Sequence, residues 1–74
     1  MSENMRRVAI CESGLKTDAV GDGGSSYGLL QIHLPSHPSV TKEQALDPYF
    51  SIDWAYKKPT SIWTCARNLG ILNW

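Results

Sequence analysis

Met5-Arg6-Arg7-Val8-Ala9-Ile10-Cys11-Glu12-Ser13-Gly14 sets Met5, Val8, Ala9 and Glu12 at i, i+3, i+4 and i+7, along one face of a helix. That helix is expected from about Ser2 to Ser13, with Ser2 or Asn4 as N-cap and Gly14 as the stop. Arg6 and Arg7 take the opposite side, so Glu12 points where the apolar residues point. A carboxylate on a buried stripe loses hydration, which favours its neutral form and raises its pKa. An acid at the inner end of a helix that faces a small polar hairpin can protonate a leaving group. The chain therefore reads as an enzyme.

The helical period disappears from Thr17 to Leu34, where Gly21-Asp22-Gly23-Gly24 supplies residues that tolerate positive φ. This predicts a short hairpin, with Ala19-Val20 and Tyr27 to Ile32 as its strands. Pro35 and Pro38 then impose an extended loop. Thr41-Lys42-Glu43-Gln44 has the form of a capping box and opens a helical turn through Leu46. Asp47 caps a further helix from Pro48 to about Lys58, ended by Pro59, with Tyr49, Ile52 and Tyr56 on one face and Ala55 and Trp54 beside it. Thr60 or Ser61 caps the last helix, whose stripe Ile62, Cys65, Ala66 and Leu69 runs until Gly70. The expected class is α+β, mainly α, in a single domain over residues 1–74. The tail Ile71 to Trp74 is apolar and abrupt, and reads as a place where a longer chain was cut.

A chain of 74 residues removes only about 60% of its unfolded surface from water, which leaves a small core in need of a staple. Cys11 and Cys65 offer either one disulfide or two buried free thiols, and the shortage of core favours the disulfide. Such a bond places the protein outside the reducing cytosol. Seven basic and seven acidic residues cancel and are scattered; Arg6-Arg7 and Lys57-Lys58 are only pairs, which disfavours nucleic acid as a partner. No apolar run is long enough to span a bilayer, and Met1 to Arg7 is too polar for a signal peptide. Either a signal has been removed or export happens by another route; a phage protein released by lysis, or a domain cut from a longer chain, would look the same.

Glu12-Ser13 at a helix end, the glycine-rich hairpin, and Gly28-Leu29-Leu30-Gln31-Ile32 follow one another in an order that resembles the lysozyme-like superfamily. The likeness is nearest to lytic transglycosylase domains of the soluble type, and to resuscitation-promoting factor domains. The latter have a cysteine before the glutamate paired with one that follows a tryptophan, similar to Cys11 and Trp63-Thr64-Cys65 here. The segment Asp47-Pro48 to Ala55 also resembles the helix behind the transglycosylase groove, so the likeness covers roughly residues 8 to 66. It implies a minimal lysozyme-like fold and a peptidoglycan lytic transglycosylase that needs no cofactor. Glu12 is then acid and afterwards base, and Tyr27 and Gln31 border the cleft. Ser13 is the companion of the acid and bonds local backbone, and Leu30 stands where the family often has methionine. The implied partner is the glycan strand of peptidoglycan, met by a monomer that inserts in no membrane. The implied location is secreted, periplasmic or wall-associated, or that of a wall-directed phage protein.

The remaining polar residues are weighed one by one. Asp22 is the only acid of the hairpin, and Asp-Gly is first of all turn chemistry, so no second carboxylate stands out and a transglycosylase is favoured over a muramidase that uses water. Ser25 and Ser26 either contact sugar or solvate the turn, and His33 and His37 sit at the cleft rim. A zinc site built from those histidines and the cysteines is not expected, because Pro35 prevents a helical alignment and no C-x2–4-C spacing exists. Trp54, Trp63 and Tyr56 can stack on sugar rings, yet aromatic residues at helical spacing are first read as core. A glycan-binding module without catalysis is the rival from another class.

Overall fold

The computed structural model describes residues 1–74. Helix α1 spans Glu3–Ser13 and is followed by three two-residue strands, β1 (Val20–Gly21), β2 (Ser26–Tyr27) and β3 (Ile32–His33). A 3-10 turn at Leu34–Ser36 leads to α2 (Lys42–Leu46) and α3 (Pro48–Tyr56), and a second at Thr60–Ile62 leads to α4 (Thr64–Asn68). Four helices beside a small antiparallel sheet make the fold α+β, mainly α, as the patterning requires.

Local chemistry sets the ends of these elements. The Ser2 hydroxyl accepts from Met5 N at 3.1 Å to cap α1, and Gly14 closes it in the left-handed region at φ 64°. Thr41 and Gln44 form the reciprocal capping box of α2, and Asp47 caps α3 through Tyr49 N, with Pro48 in its first turn. Met5, Val8 and Ala9 are wholly buried, so α1 turns inward the stripe that carries Glu12.

Where a single hairpin is expected, the sheet has three strands in the order β1-β2-β3. Tyr27 stands opposite Val20 on one side and opposite Ile32 on the other. The stretch from Tyr27 to Ile32 is thus two strands joined by a turn, with Gly28 at φ 85° and Gln31 at φ 50°. Gly28 lies so close to the Ala45 carbonyl that a Cβ has no room there. The turn carries Leu29 and Leu30 into the main core with Met5, Val8, Ala55 and Trp63. Ile32 joins a smaller cluster with Val40 and Ala45.

Three further expectations are corrected. Pro35 lies in a 3-10 turn rather than an extended loop, because its fixed φ suits that turn and His37 N donates to Leu34 O at 3.0 Å. Helix α3 ends at Tyr56 and presents Ser51 and Ala55 inward, while Tyr49 is 83% exposed and Tyr56 is also at the surface. Small residues win there because α3 packs closely on α2, with Ser51 Oγ donating to Ala45 O at 2.9 Å. Neither Thr60 nor Ser61 caps α4: Thr60 Oγ1 donates instead to Ile71 O at 2.9 Å, which folds the tail back. Ile62 and Leu69 are consequently exposed, and Trp63 and Ala66 provide the burial. Trp74 completes the return, its indole N–H donating to Ala55 O at 2.9 Å.

Cys11 and Cys65 are joined in a disulfide across a sequence separation of 54, with their Cα atoms 6.0 Å apart. No helix is long and apolar enough to cross a membrane. With only 16 of 74 residues buried, the crosslink is a large part of what holds the chain. Closing a loop of this size stabilises by about 4 kcal/mol in the chain-entropy model. The double substitution Cys11→Ser/Cys65→Ser is expected to lower the free energy of unfolding, measured by urea titration, by about 2–5 kcal/mol. A change within error of zero would show that packing alone carries the fold.

Candidate functional site

Glu12 occupies the last turn of α1, half-buried, and lines an open cleft of about 140 Å³. Two hydrogen bonds seat the sheet beside it. Ser13 Oγ donates to Leu29 O at 2.7 Å, besides Ala9 O at 3.0 Å, and the Trp63 indole N–H donates to Leu30 O at 2.7 Å. The carbonyls of the β2–β3 turn are thereby tied to the end of α1 on one side and the entry of α4 on the other. The disulfide ties those two helices to each other at the residue next to Glu12.

From the sheet, Asp22, Ser26, Gln31, Ile32 and His33 line the cleft. From the helical side come His37, Trp54, Ile62, Trp63 and Thr64. Asp22 sits at φ 51° in the β1–β2 turn, and its Oδ2 accepts from the buried Ser26 hydroxyl at 2.6 Å. That bond occupies Ser26, so its hydroxyl orients Asp22 within the turn. Gln31 spends its amide N–H groups on Ala19 O at 3.1 Å and Gly28 O at 2.9 Å, and its Oε1 covers Gly21. His33 Nδ1 bonds the Ser36 hydroxyl at 2.7 Å. Tyr27 lies outside this lining, with its hydroxyl donating to Gly24 O at 2.6 Å and the Lys42 ammonium 5.2 Å from its ring centre.

The cleft thus gathers Glu12, Asp22, Ser26, Gln31 and His33 of the residues singled out from the sequence, and leaves Tyr27 aside. Trp54 and Trp63 serve both core and cleft, packed edge to face at 6.0 Å. Ile62 and Thr64 are cleft residues that patterning does not reveal, since they owe their place to the break between the 3-10 turn and α4. Nowhere do three or more His, Cys, Asp or Glu side chains gather as a group able to hold a metal ion.

Burial pushes the Glu12 carboxyl above its ordinary value of 4.5. The backbone N–H of Cys65 opposes this by favouring the charged form, and the negative charge of Asp22 adds to the rise. A carboxyl whose protonated form is favoured in this way can donate its proton within the cleft and then act as a base once ionised. Comparisons with models of protein families, with curated proteins and with solved structures each find no match for this chain.

A raised pKa has a consequence for stability. The folded chain holds the Glu12 proton more tightly than the unfolded chain does, so stability falls as pH rises from 4.5 through the raised value. Above that window the full cost of an ionised, half-buried carboxylate is incurred. Glu12→Gln is therefore expected to melt at a higher temperature than the native chain at about pH 7, with the difference closing as the pH falls towards about 4. Calorimetric melting curves across that range check it; a substitution that destabilises at neutral pH would show that the Cys65 N–H stabilises the carboxylate by more than burial costs it.

Proposed function

We propose that this chain is a lytic transglycosylase that cleaves the glycosidic bonds of peptidoglycan strands, with Glu12 as its acid and base. The observation that carries the reading is a half-buried carboxyl of raised pKa in a cleft flanked by tryptophan rings and hydrogen-bonding side chains. The order of motifs that resembles the lysozyme-like superfamily supports it, as does a disulfide that fits work outside a reducing compartment.

The chemistry follows from what Glu12 can hold. Its carboxyl donates a proton to the oxygen of the scissile bond, which leaves as a hydroxyl while positive charge builds at the anomeric carbon. The Glu12 carboxylate then accepts the proton of the muramoyl 6-hydroxyl as that oxygen attacks the same carbon. One C–O bond breaks, one forms, and Glu12 ends protonated, ready for another cycle. The product is an anhydro-sugar and no water is consumed.

One observation favours a second outcome. Asp22 lines the same cleft and acts electrostatically on Glu12, so it can orient a water against the anomeric carbon, which would make the enzyme a muramidase. Mass spectrometry of peptidoglycan digested with the purified protein separates the two. Anhydro-muropeptides are the expected product, with turnover in Glu12→Gln reduced by about 10²-fold or more. Reducing-end products in place of anhydro ends would assign hydrolysis with Asp22. Equal turnover in the native chain and Glu12→Gln would remove Glu12 from the catalysis, and none in either would leave at most a glycan-binding module.

A further inference from the structure

The charges of the cleft are sorted. Asp22 is the charged neighbour that acts on Glu12, whereas Lys58 and His33 are those that act on His37. His33 at the end of β3 and His37 after the 3-10 turn both line the cleft. Lys58, just beyond α3, holds its ammonium 5.1 Å from the ring centre of Trp54, and the His37 imidazole meets that same tryptophan edge to face at 4.8 Å. One aromatic ring therefore carries both an imidazole and an ammonium.

None of these three has an acidic partner. The ion pairs of the chain are Arg6–Glu3 and Lys57–Asp53, both at the surface, and Lys58 makes neither. His33 spends only Nδ1, on Ser36, and His37 makes no side-chain hydrogen bond. Burial and the two positive neighbours push the His37 imidazole below its usual 6.5, so the free cleft resists a proton that an incoming anion would welcome. Glu12 and Asp22 are the other titratable groups of the cleft, and the acid chemistry belongs to them.

We propose that His33, His37 and Lys58 form a carboxylate-binding edge of this cleft, which holds an acidic substituent of the glycan while Glu12 acts on the glycosidic bond. This assignment rests on the glycan-cleaving reading above and names the substituent which that reading leaves open. A carboxylate seated at the edge favours the protonated form of His37 beside the Lys58 ammonium, so acidic glycans are bound with proton uptake and neutral glycans are not. The sign is fixed by that linkage: the extra affinity is complete below the free His37 pKa and is lost as pH rises through the higher value His37 has in the complex.

Calorimetric titrations in a Glu12→Gln background test this without turnover and without the titration of Glu12. The ligands are a neutral N-acetylglucosamine tetramer, a peptide-free tetramer of alternating N-acetylglucosamine and N-acetylmuramic acid, and the same tetramer bearing its peptides. An acidic tetramer is expected to bind about tenfold more tightly at about pH 5 than at about pH 8, while the neutral one changes little. Preference for the peptide-free acid assigns the lactyl carboxylate, and preference confined to the third ligand assigns the peptide. Added His37→Gln should flatten the pH dependence, and added Lys58→Gln should weaken the acidic ligand alone. A neutral tetramer that binds as well as the acidic ones at every pH, or a pH dependence that survives the double substitution His33→Gln/His37→Gln, overturns the assignment and spares the glycan reading. Failure of all three ligands to bind would sink both.

Discussion

The bond between Cys11 and Cys65 is the constraint on which the rest of this structure depends. It joins the end of α1 to α4 at the residue before Glu12, and Cys65 supplies the backbone N–H that acts on the Glu12 carboxyl. The same crosslink that limits the unfolded chain therefore fixes the two walls between which the acid sits. Reduction would loosen both at once, because a core of this size has little else to hold those helices together.

Around that anchor the cleft is assembled from backbone carbonyls more than from side-chain pairs. Ser13 claims the carbonyl of Leu29 and Trp63 that of Leu30, so the middle of the β2–β3 turn is held while the Leu29 and Leu30 side chains fill the core beneath. Gln31 then closes the turn from within through Ala19 and Gly28. No buried side-chain polar atom is left without a partner. Glu12 is a group that works against stability whenever it is ionised. A chain this small keeps such a group at a cost, for which the proposed role as acid and base would account.

Much of this was legible in the sequence, for physical reasons. Helix α1, its caps and the inward face of Glu12 follow from a 3.6-residue period with Ser2 and Gly14 at its ends. The capping box at Thr41 and the Asp47-Pro48 start are equally local signals. What escaped was long-range. The break in the strand at Gly28 follows from its contact with the Ala45 carbonyl, and no periodicity encodes that. Ser51 and Ala55 face inward because α2 comes close, whereas Tyr49 and Tyr56 looked the better core residues. In the cleft, Asp22 read as turn chemistry and is indeed in a turn at positive φ, yet its charge reaches Glu12 across the fold. The grouping of His33, His37 and Lys58 needs the 3-10 turn and the ring of Trp54, neither of which spacing reveals.

The central claim is that the fold raises the pKa of one carboxyl, Glu12, inside an open cleft. Carbon-13 NMR titration of the labelled Glu12 carboxyl tests this most directly. Its midpoint is expected above 4.5, and further above once charge repulsion is strengthened by lowering the salt. A midpoint at or below 4.5 would contradict the claim, since the fold would then favour the protonated form of Glu12 no more than water does.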